Sequence, residues 1–359
     1  MPDWADRVAA ECRAVDAAGQ WRQVTDLDEG LVSFASNDYL GLATHPAVVE
    51  AAHAALDRWG AGSGAARLVA GSRAVHGELE SALASWKGEP AALLFPTGYA
   101  ANLGVLATFA GRGVRVLSDE RNHASIVDGC RLSRADVCVY RHGDLGHVDD
   151  LLRTSPGPTI VVSDTVFSMD GDVAPVAGLA ERCAARGALL ILDEAHAVLG
   201  PDPDLHEVDH LRVGTLSKYL GSVGGFVAGP RPFVDLLINR ARPFIFTTAG
   251  TPADAAAGLA ALTVLRSAEG AGLIGRLRAN VDLVQPGHSS PVVPIVIGDE
   301  AAALTASAAL RERGLLVPAI RPPTVAPGTS RLRVSLSASH TPAQVQALLA
   351  GLEAVRGAS

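Results

Sequence analysis

The chain has 359 residues, 48% of them hydrophobic, with a net charge of −8 and a pI near 5.8. That length exceeds one small core and implies about two domains. The acidic balance and the scattered arginines give no reason to expect a nucleic acid or an anionic membrane as partner.

Residues 1–20 carry Asp3, Asp6, Arg7, Glu11, Arg13 and Asp16. They lack the apolar core of a signal peptide and predict an amphipathic helix. Residues 46–59 have helical apolar spacing after Thr44-His45-Pro46, and residues 74–86 repeat it. Residues 91–111 are uncharged and reach the length of a membrane span. Pro96, Thr97, Gly98, Asn102 and Gly104 interrupt them, so a strand, a turn and a buried helix are predicted. Short apolar runs follow at 114–117, 137–140, 159–162, 188–192, 211–216 and 225–228. Helix-like segments at 123–132, 148–152 and 176–186 separate several of them. Continuous apolar strands between helices predict a mostly parallel sheet covered on both faces. An alanine-rich helix follows Thr251 to about residue 267. Strands at 292–297, 315–320 and 332–336, with helices near 301–313 and 341–355, predict a smaller α/β unit. Cys12, Cys130, Cys138 and Cys183 form no Cys-x-x-Cys pair. They predict reduced, buried thiols of a cytoplasmic protein and no thiolate metal site.

Ligands of open α/β sheets bind beyond the carboxyl ends of the strands. Four such ends stand out. Leu94-Phe95-Pro96-Thr97-Gly98-Tyr99 leads from a strand into a helix, which suits either a phosphate on free backbone N–H groups or an ordinary turn. Asp193 ends an apolar run, with Glu194 next and His196 three residues on. A buried carboxylate there needs a partner, such as a protonated pyridine nitrogen, or serves as a helix cap. Asp-Glu after a strand also suits a magnesium ATPase, but the chain has no Gly-Lys-Ser/Thr phosphate loop. His123 follows a third strand and is either functional or a helix-start residue. Lys218 follows the fourth. Only two of the 30 basic residues are lysines, Lys87 and Lys218. A lysine amine can form a Schiff base, whereas a guanidinium stays protonated. His206-Glu207-Val208-Asp209-His210 matches a zinc-protease pattern. That chemistry needs both histidines on one sustained helix, which Pro201, Pro203 and the following apolar run argue against.

An amine, a phosphate cradle, an acid and a flat partner suit pyridoxal 5′-phosphate. The sequence resembles the α-oxoamine synthases, fold-type-I enzymes of that cofactor that condense an amino acid with an acyl thioester. The matching runs are Ser36-Asn37-Asp38-Tyr39-Leu40-Gly41-Leu42, Arg67-Leu68-Val69-Ala70-Gly71, Asn122-His123-Ala124-Ser125, Val166-Phe167-Ser168-Met169-Asp170-Gly171-Asp172 and Asp193-Glu194-Ala195-His196. Ile320-Arg321-Pro322-Pro323-Thr324-Val325 looks most like the biotin-pathway branch, which joins L-alanine to a pimeloyl thioester.

The resemblance implies a large domain with a mostly parallel seven-stranded sheet and a smaller C-terminal α/β domain. The division implied is 1–35 as an N-terminal helix and arm, 36–250 as the cofactor-binding domain, and 251–359 as a linking helix and small domain. It makes Lys218 the Schiff-base lysine and Asp193 the ring-nitrogen partner. His123 would stack on the ring, and His196 and Ser168 would lie near the phenolate oxygen. The amides of Gly98 and Tyr99, with Thr215, would hold the phosphate. Thr247 and Thr248 would reach the phosphate of the other subunit in a homodimer with shared active sites. Arg333 would bind the amino-acid carboxylate, and Asn37 would line the substrate side. The interval from His196 to Lys218 is shorter than usual and lacks a glycine-rich run, and 272–290 looks trimmed.

Overall fold

Successive residues of the central strands point into two different cores. Val116, Ile160, Val162, Ile191 and Val213 pack on one side with Val105, Ile126 and Leu237. Leu117, Val161, Leu190 and Leu192 pack on the other with Val148, Leu179 and Cys183. Alternation with no polar face is what a sheet buried on both sides requires. Each such Leu, Ile or Val removed from water contributes about 1.5–3 kcal/mol before the entropy cost of ordering the chain.

In this computed structural model residues 3–22, 24, 26, 30–200, 202–205 and 207–356 are described. They form two units. The larger comprises Ser36–Val293 and Ser335–Val345. Its seven-stranded sheet runs, in spatial order, Ala91–Phe95, Gly225–Gly229, His210–Thr215, Leu189–Asp193, Thr159–Asp164, Arg115–Asp119 and Asp136–Tyr140. Gly225–Gly229 is antiparallel to both neighbours, and the other pairings are parallel. The smaller unit comprises Met1–Ala35, Pro294–Val334 and Gln346–Ser359. Within it Val32–Ser33 pairs parallel with Leu315–Leu316, and Ala319–Ile320 pairs antiparallel with Arg331–Leu332 of the strand Ser330–Ser335.

The division differs from the expected one. The helix Pro252–Leu265 packs on Pro46–Trp59 and Ala74–Lys87, so residues 251–293 group with the larger unit. Residues 1–35 group with the C-terminal segments, through the Val32–Ser33 pairing.

Local chemistry explains most element ends. Pro46 opens its helix at a position where the missing N–H costs nothing, and His45 Nδ1 accepts from Ala47 N at 3.3 Å. Gly187, at φ 61°, closes the helix Val176–Arg186 in the left-handed conformation. The uncharged stretch 91–111 holds the strand Ala91–Phe95 and the helix Gly98–Phe109. The apolar run 315–320 is not one strand. It splits at Pro318, whose carbonyl accepts from Arg333 N at 3.0 Å. The helix Ala268–Val284 was not anticipated, because Gly270, Gly272 and Gly275 mask it. Its buried Leu273, Leu277 and Val281 nonetheless keep a four-residue spacing. Of the cysteines, Cys130 and Cys183 are buried as expected, whereas Cys12 and Cys138 are half-buried. Among the described residues no single helix is long and apolar enough to cross a membrane.

Gly225 opens its strand against the turn after Phe95. A Cβ there would lie 2.4 Å from Thr97 O and 2.5 Å from Gly98 N. Both are backbone atoms and cannot swing aside. Gly225→Ala is therefore expected to lower the unfolding free energy by about 2 kcal/mol. Urea denaturation measures this, and an unchanged midpoint contradicts the packing argument.

Candidate active site

Six strands of the larger sheet run the same way, so Phe95, Asp119, Tyr140, Asp164, Asp193 and Thr215 reach one edge. Beyond that edge lies a cavity of about 240 Å³. Lys218, His123, Asp193, His196, Gly98, Tyr99, Ser168 and Thr215 all line it. Residues as far apart in sequence as Thr97 and Lys218 meet there because the strand ends do.

Asp193 is 6% exposed. Its Oδ1 accepts from Ala195 N at 2.9 Å and its Oδ2 from Asn102 Nδ2 at 2.6 Å. Asn102 Nδ2 also donates to Ser125 Oγ at 2.9 Å, and Ser125 Oγ lies 2.7 Å from His123 Nδ1. A network of neutral groups thus joins the carboxylate to the imidazole. On the other side Lys218 Nζ lies 2.7 Å from His196 Nε2. His196 Nδ1 lies 2.6 Å from the Tyr39 hydroxyl, which donates to Asn37 Oδ1 at 3.0 Å. With Tyr39's single proton directed at Asn37, His196 Nδ1 carries the proton between them. Nε2 is then the acceptor facing the amine.

The helix Gly98–Phe109 begins with N–H groups that have no carbonyl partner inside the helix. Thr97 Oγ1 takes the one from Ala100 at 3.0 Å. Helix geometry leaves those of Gly98 and Tyr99 at the cavity wall. Thr215 Oγ1 donates to Gly224 O at 2.9 Å and lies 2.6 Å from Ser217 Oγ.

Burial pushes the His123 imidazole below its usual value, the nearby Asp193 charge opposes that, and Lys218 reinforces it. The ring is neutral near pH 7. Burial, with Asp193 close by, pushes the Asp164 carboxyl well above the carboxylate range. Asp164 Oδ2 accepts from His123 N at 2.9 Å.

Four expected residues lie elsewhere. Thr247 and Thr248 line a small recess with Arg67, His76 and Phe244. Asn37 lines a neighbouring cavity that also reaches Lys218. Arg333 lies buried in Ser330–Ser335, in the smaller unit. Asn102, Ser125, Asp164, Ser217 and Tyr39 were not singled out from sequence. Asp164 ends an apolar strand, so the rule that picked Asp193 would have found it. The second histidine of the zinc-like run, His210, opens a strand and lies 2.6 Å from Glu89 Oε1. The first, His206, lies outside the described residues.

Lys87 is not a second candidate amine. Its side chain is 3% exposed, with Nζ 2.8 Å from Glu194 Oε2, an ionic contact off the hydrogen-bonding direction. Arg212 Nε donates to Glu194 Oε1 at 2.7 Å, and Asp202 completes the cluster through Arg212.

The residues present fit pyridoxal phosphate. The partners given to Asp193 are neutral donors, and among the described residues no cation lies within ion-pair distance of it. A buried carboxylate in that state costs several kcal/mol unless a bound cation compensates it. Asn102 Oδ1 is also buried without a hydrogen-bond partner.

Comparison with known proteins agrees. The profile of the family "Aminotransferase class I and II" matches residues 29–352. An 8-amino-7-oxononanoate synthase of Anaeromyxobacter dehalogenans is 49% identical, covering 98% of this chain and 95% of its own length. Among solved structures, a serine palmitoyltransferase from S. paucimobilis with bound PLP–myriocin aldimine superposes with a TM-score of 0.90 at 30% identity, over 99% of both chains. The 8-amino-7-oxononanoate synthase of Francisella tularensis gives 0.76 at 27% identity, over 92% of this chain and 99% of that one. The chain belongs to the aminotransferase class I and II family of pyridoxal-phosphate enzymes, in its acyltransferase branch of 8-amino-7-oxononanoate synthases.

Proposed function

We propose that the enzyme condenses L-alanine with a pimeloyl thioester, of coenzyme A or a carrier protein. The products are 8-amino-7-oxononanoate, CO₂ and the free thiol. The observation that carries the cofactor half of this reading is one cavity holding the Lys218 amine and the Asp193 carboxylate with neutral donors. The substrate half rests on the names of the relatives. The serine palmitoyltransferase fold likeness favours a second reading, a sister synthase with another amino acid and acyl chain. Turnover with alanine and pimeloyl-CoA, against glycine and serine as competitors, decides between them. Faster turnover with either competitor overturns the first reading.

Bound pyridoxal phosphate supplies an electron sink for the bonds broken at the amino-acid α-carbon. Lys218 would hold the cofactor's aldehyde carbon and carry the α-proton. Asp193 would keep a proton on the ring nitrogen, and the neutral His123 would face the ring without competing for that proton. His196 and Ser168 would take the phenolate side. Gly98, Tyr99 and Thr215 would take the phosphate, and in a homodimer Thr247 and Thr248 would take that of the other subunit. Asn37 lines the substrate side, and Arg333 grips the carboxylate with a planar fork.

Lys218→Ala is expected to lose covalent cofactor while remaining folded. Borohydride reduction followed by peptide mapping measures it, and cofactor fixed to the mutant chain contradicts the assignment. Asp193→Asn and Asp164→Asn should differ. An amide cannot hold the ring nitrogen protonated, so Asp193→Asn is expected to slow alanine α-proton exchange by about 100-fold or more. Asn at position 164 keeps the side-chain oxygen that accepts from His123 N, so Asp164→Asn should stay within about threefold. Exchange into deuterated solvent reads both, and equal losses refute the distinction. Arg333→Lys is expected to raise KM for alanine and lower kcat, roughly tenfold together, with less change for the thioester. Arg321→Lys and Arg331→Lys are the controls. A defect in either control with Arg333→Lys unaffected moves the clamp to that residue.

A further inference from the structure

Two turns that wall the cofactor cavity are joined behind it by one imidazole. His142 Nδ1 lies 2.9 Å from Asp119 Oδ1, and its Nε2 lies 2.5 Å from Asp172 Oδ2. The His142 ring stands edge-on to Phe167, with centroids 4.4 Å apart at 86°. The side chain is 16% exposed, and Asp119 is 2% exposed. Both ring nitrogens face carboxylate oxygens, so both bonds form fully only when both nitrogens carry protons.

The Asp119 carboxylate organises one turn, and the Asp172 backbone closes the other. Asp119 Oδ1 accepts from Arg121 N at 2.9 Å and its Oδ2 from Gly143 N at 3.0 Å. Asp119 O accepts from Asn122 N at 3.2 Å, and His123 follows. The Asp172 carbonyl accepts from Phe167 N at 3.0 Å, and Phe167 O accepts from Gly171 N at 2.8 Å. Ser168 sits inside that closed turn. Arg121 and Asp170 tie the same two turns at 3.4 Å in a more exposed position.

We propose that His142 is a positioning residue that, as an imidazolium, clamps the turn presenting His123 to the turn presenting Ser168. Cofactor affinity then depends on a residue that does not line the cofactor cavity. The inference rests on the reading of this cavity as the cofactor site.

The two groups that face the ring are both carboxylates, and the nearby arginines are paired with other acids. Asp119 and Asp172 face the ring, Arg121 pairs with Asp170, and Arg141 pairs with Asp144 on the following turn. Tyr140, on the adjoining strand, is held neutral by burial. Burial opposes the imidazolium, but the bonds to Asp119 and Asp172 outweigh it and raise the His142 value above the ordinary one. A raised value means the clamp is complete below the ordinary histidine range. It is lost as pH rises through the raised value.

The test measures the dissociation constant of pyridoxal phosphate from pH 6 to 9, by equilibrium dialysis of wild type, His142→Gln, His142→Phe and Asp172→Asn. At the acid end His142→Gln and His142→Phe are expected to bind about tenfold more weakly than wild type. The ratio should fall toward one at the alkaline end, where wild type has itself lost the clamp. Asp172→Asn keeps an acceptor but no charge. It should shift the pH at which wild-type affinity falls downward by about one unit. A purely structural role gives a ratio constant with pH and an unmoved midpoint, and either result overturns the proposal. If the His142 variants do not fold, the midpoint in Asp172→Asn decides. Borohydride mapping of Lys218 separates the two failures. Cofactor fixed elsewhere removes the site reading, whereas cofactor on Lys218 with pH-independent ratios removes the clamp alone.

Discussion

A carboxylate buried at the end of a central strand, with neutral donors around it, is the constraint from which the larger unit is best understood. Asp193 and Glu194 are adjacent in sequence and both buried, yet the structure treats them oppositely. Glu194 receives two cations, Lys87 and Arg212. Asp193 receives an amide and a backbone N–H. Isolated burial of either would cost several kcal/mol. For Glu194 the chain supplies the compensation itself. For Asp193 it supplies only neutral donors, and in the proposed reading a protonated ring nitrogen would provide the compensation.

The same contrast separates the two lysines. The Lys87 side chain is 3% exposed, held 2.8 Å from Glu194 Oε2 and against the Trp86 ring, 3.9 Å from its centroid. Lys218 faces an imidazole nitrogen oriented, through Tyr39 and Asn37, as an acceptor. Two residues of one chemistry are thus divided by environment, one locked in a buried ion pair and the other facing the cavity, where the proposed function needs an amine. The interval between His196 and Lys218 participates as well. Asp202, which lies in it, closes the cation cluster through Arg212.

Legibility in the sequence followed the range of the interaction that fixes each feature. The helices Pro46–Trp59 and Val176–Arg186 were readable to the residue, because a proline start and a glycine stop are local signals. The strands were readable as apolar runs, and the edge that collects the polar residues followed from topology rules. The helix Ala268–Val284 was hidden by its glycines, although its buried spacing was present. The unit boundary was misplaced because the packing of Pro252–Leu265 is a tertiary fact with no local mark. Lys218, Asp193 and His123 stood out by residue type and position after a strand. Asn102 and Tyr39 did not, since an asparagine four residues into a helix and a tyrosine in a loop acquire meaning only through partners 91 and 157 positions away.

The residues that escaped the sequence share a property that explains why. Asn102, Ser125, Tyr39 and His142 act through other side chains. Asn102 holds Asp193 and Ser125, and Tyr39 sets which nitrogen of His196 is the acceptor. His142 sits between two carboxylates. Chemistry at the cavity is recognisable from the groups that perform it, because few residue types can be an amine nucleophile or a ring acid. The groups that hold them in place are drawn from a wider choice, since any donor or acceptor at the right distance serves. Orientation is nonetheless where a site gains or loses rate, as the α-carbon bonds must stand perpendicular to the ring to break. The supporting network is set by contacts distant in sequence, and only the folded chain displays it.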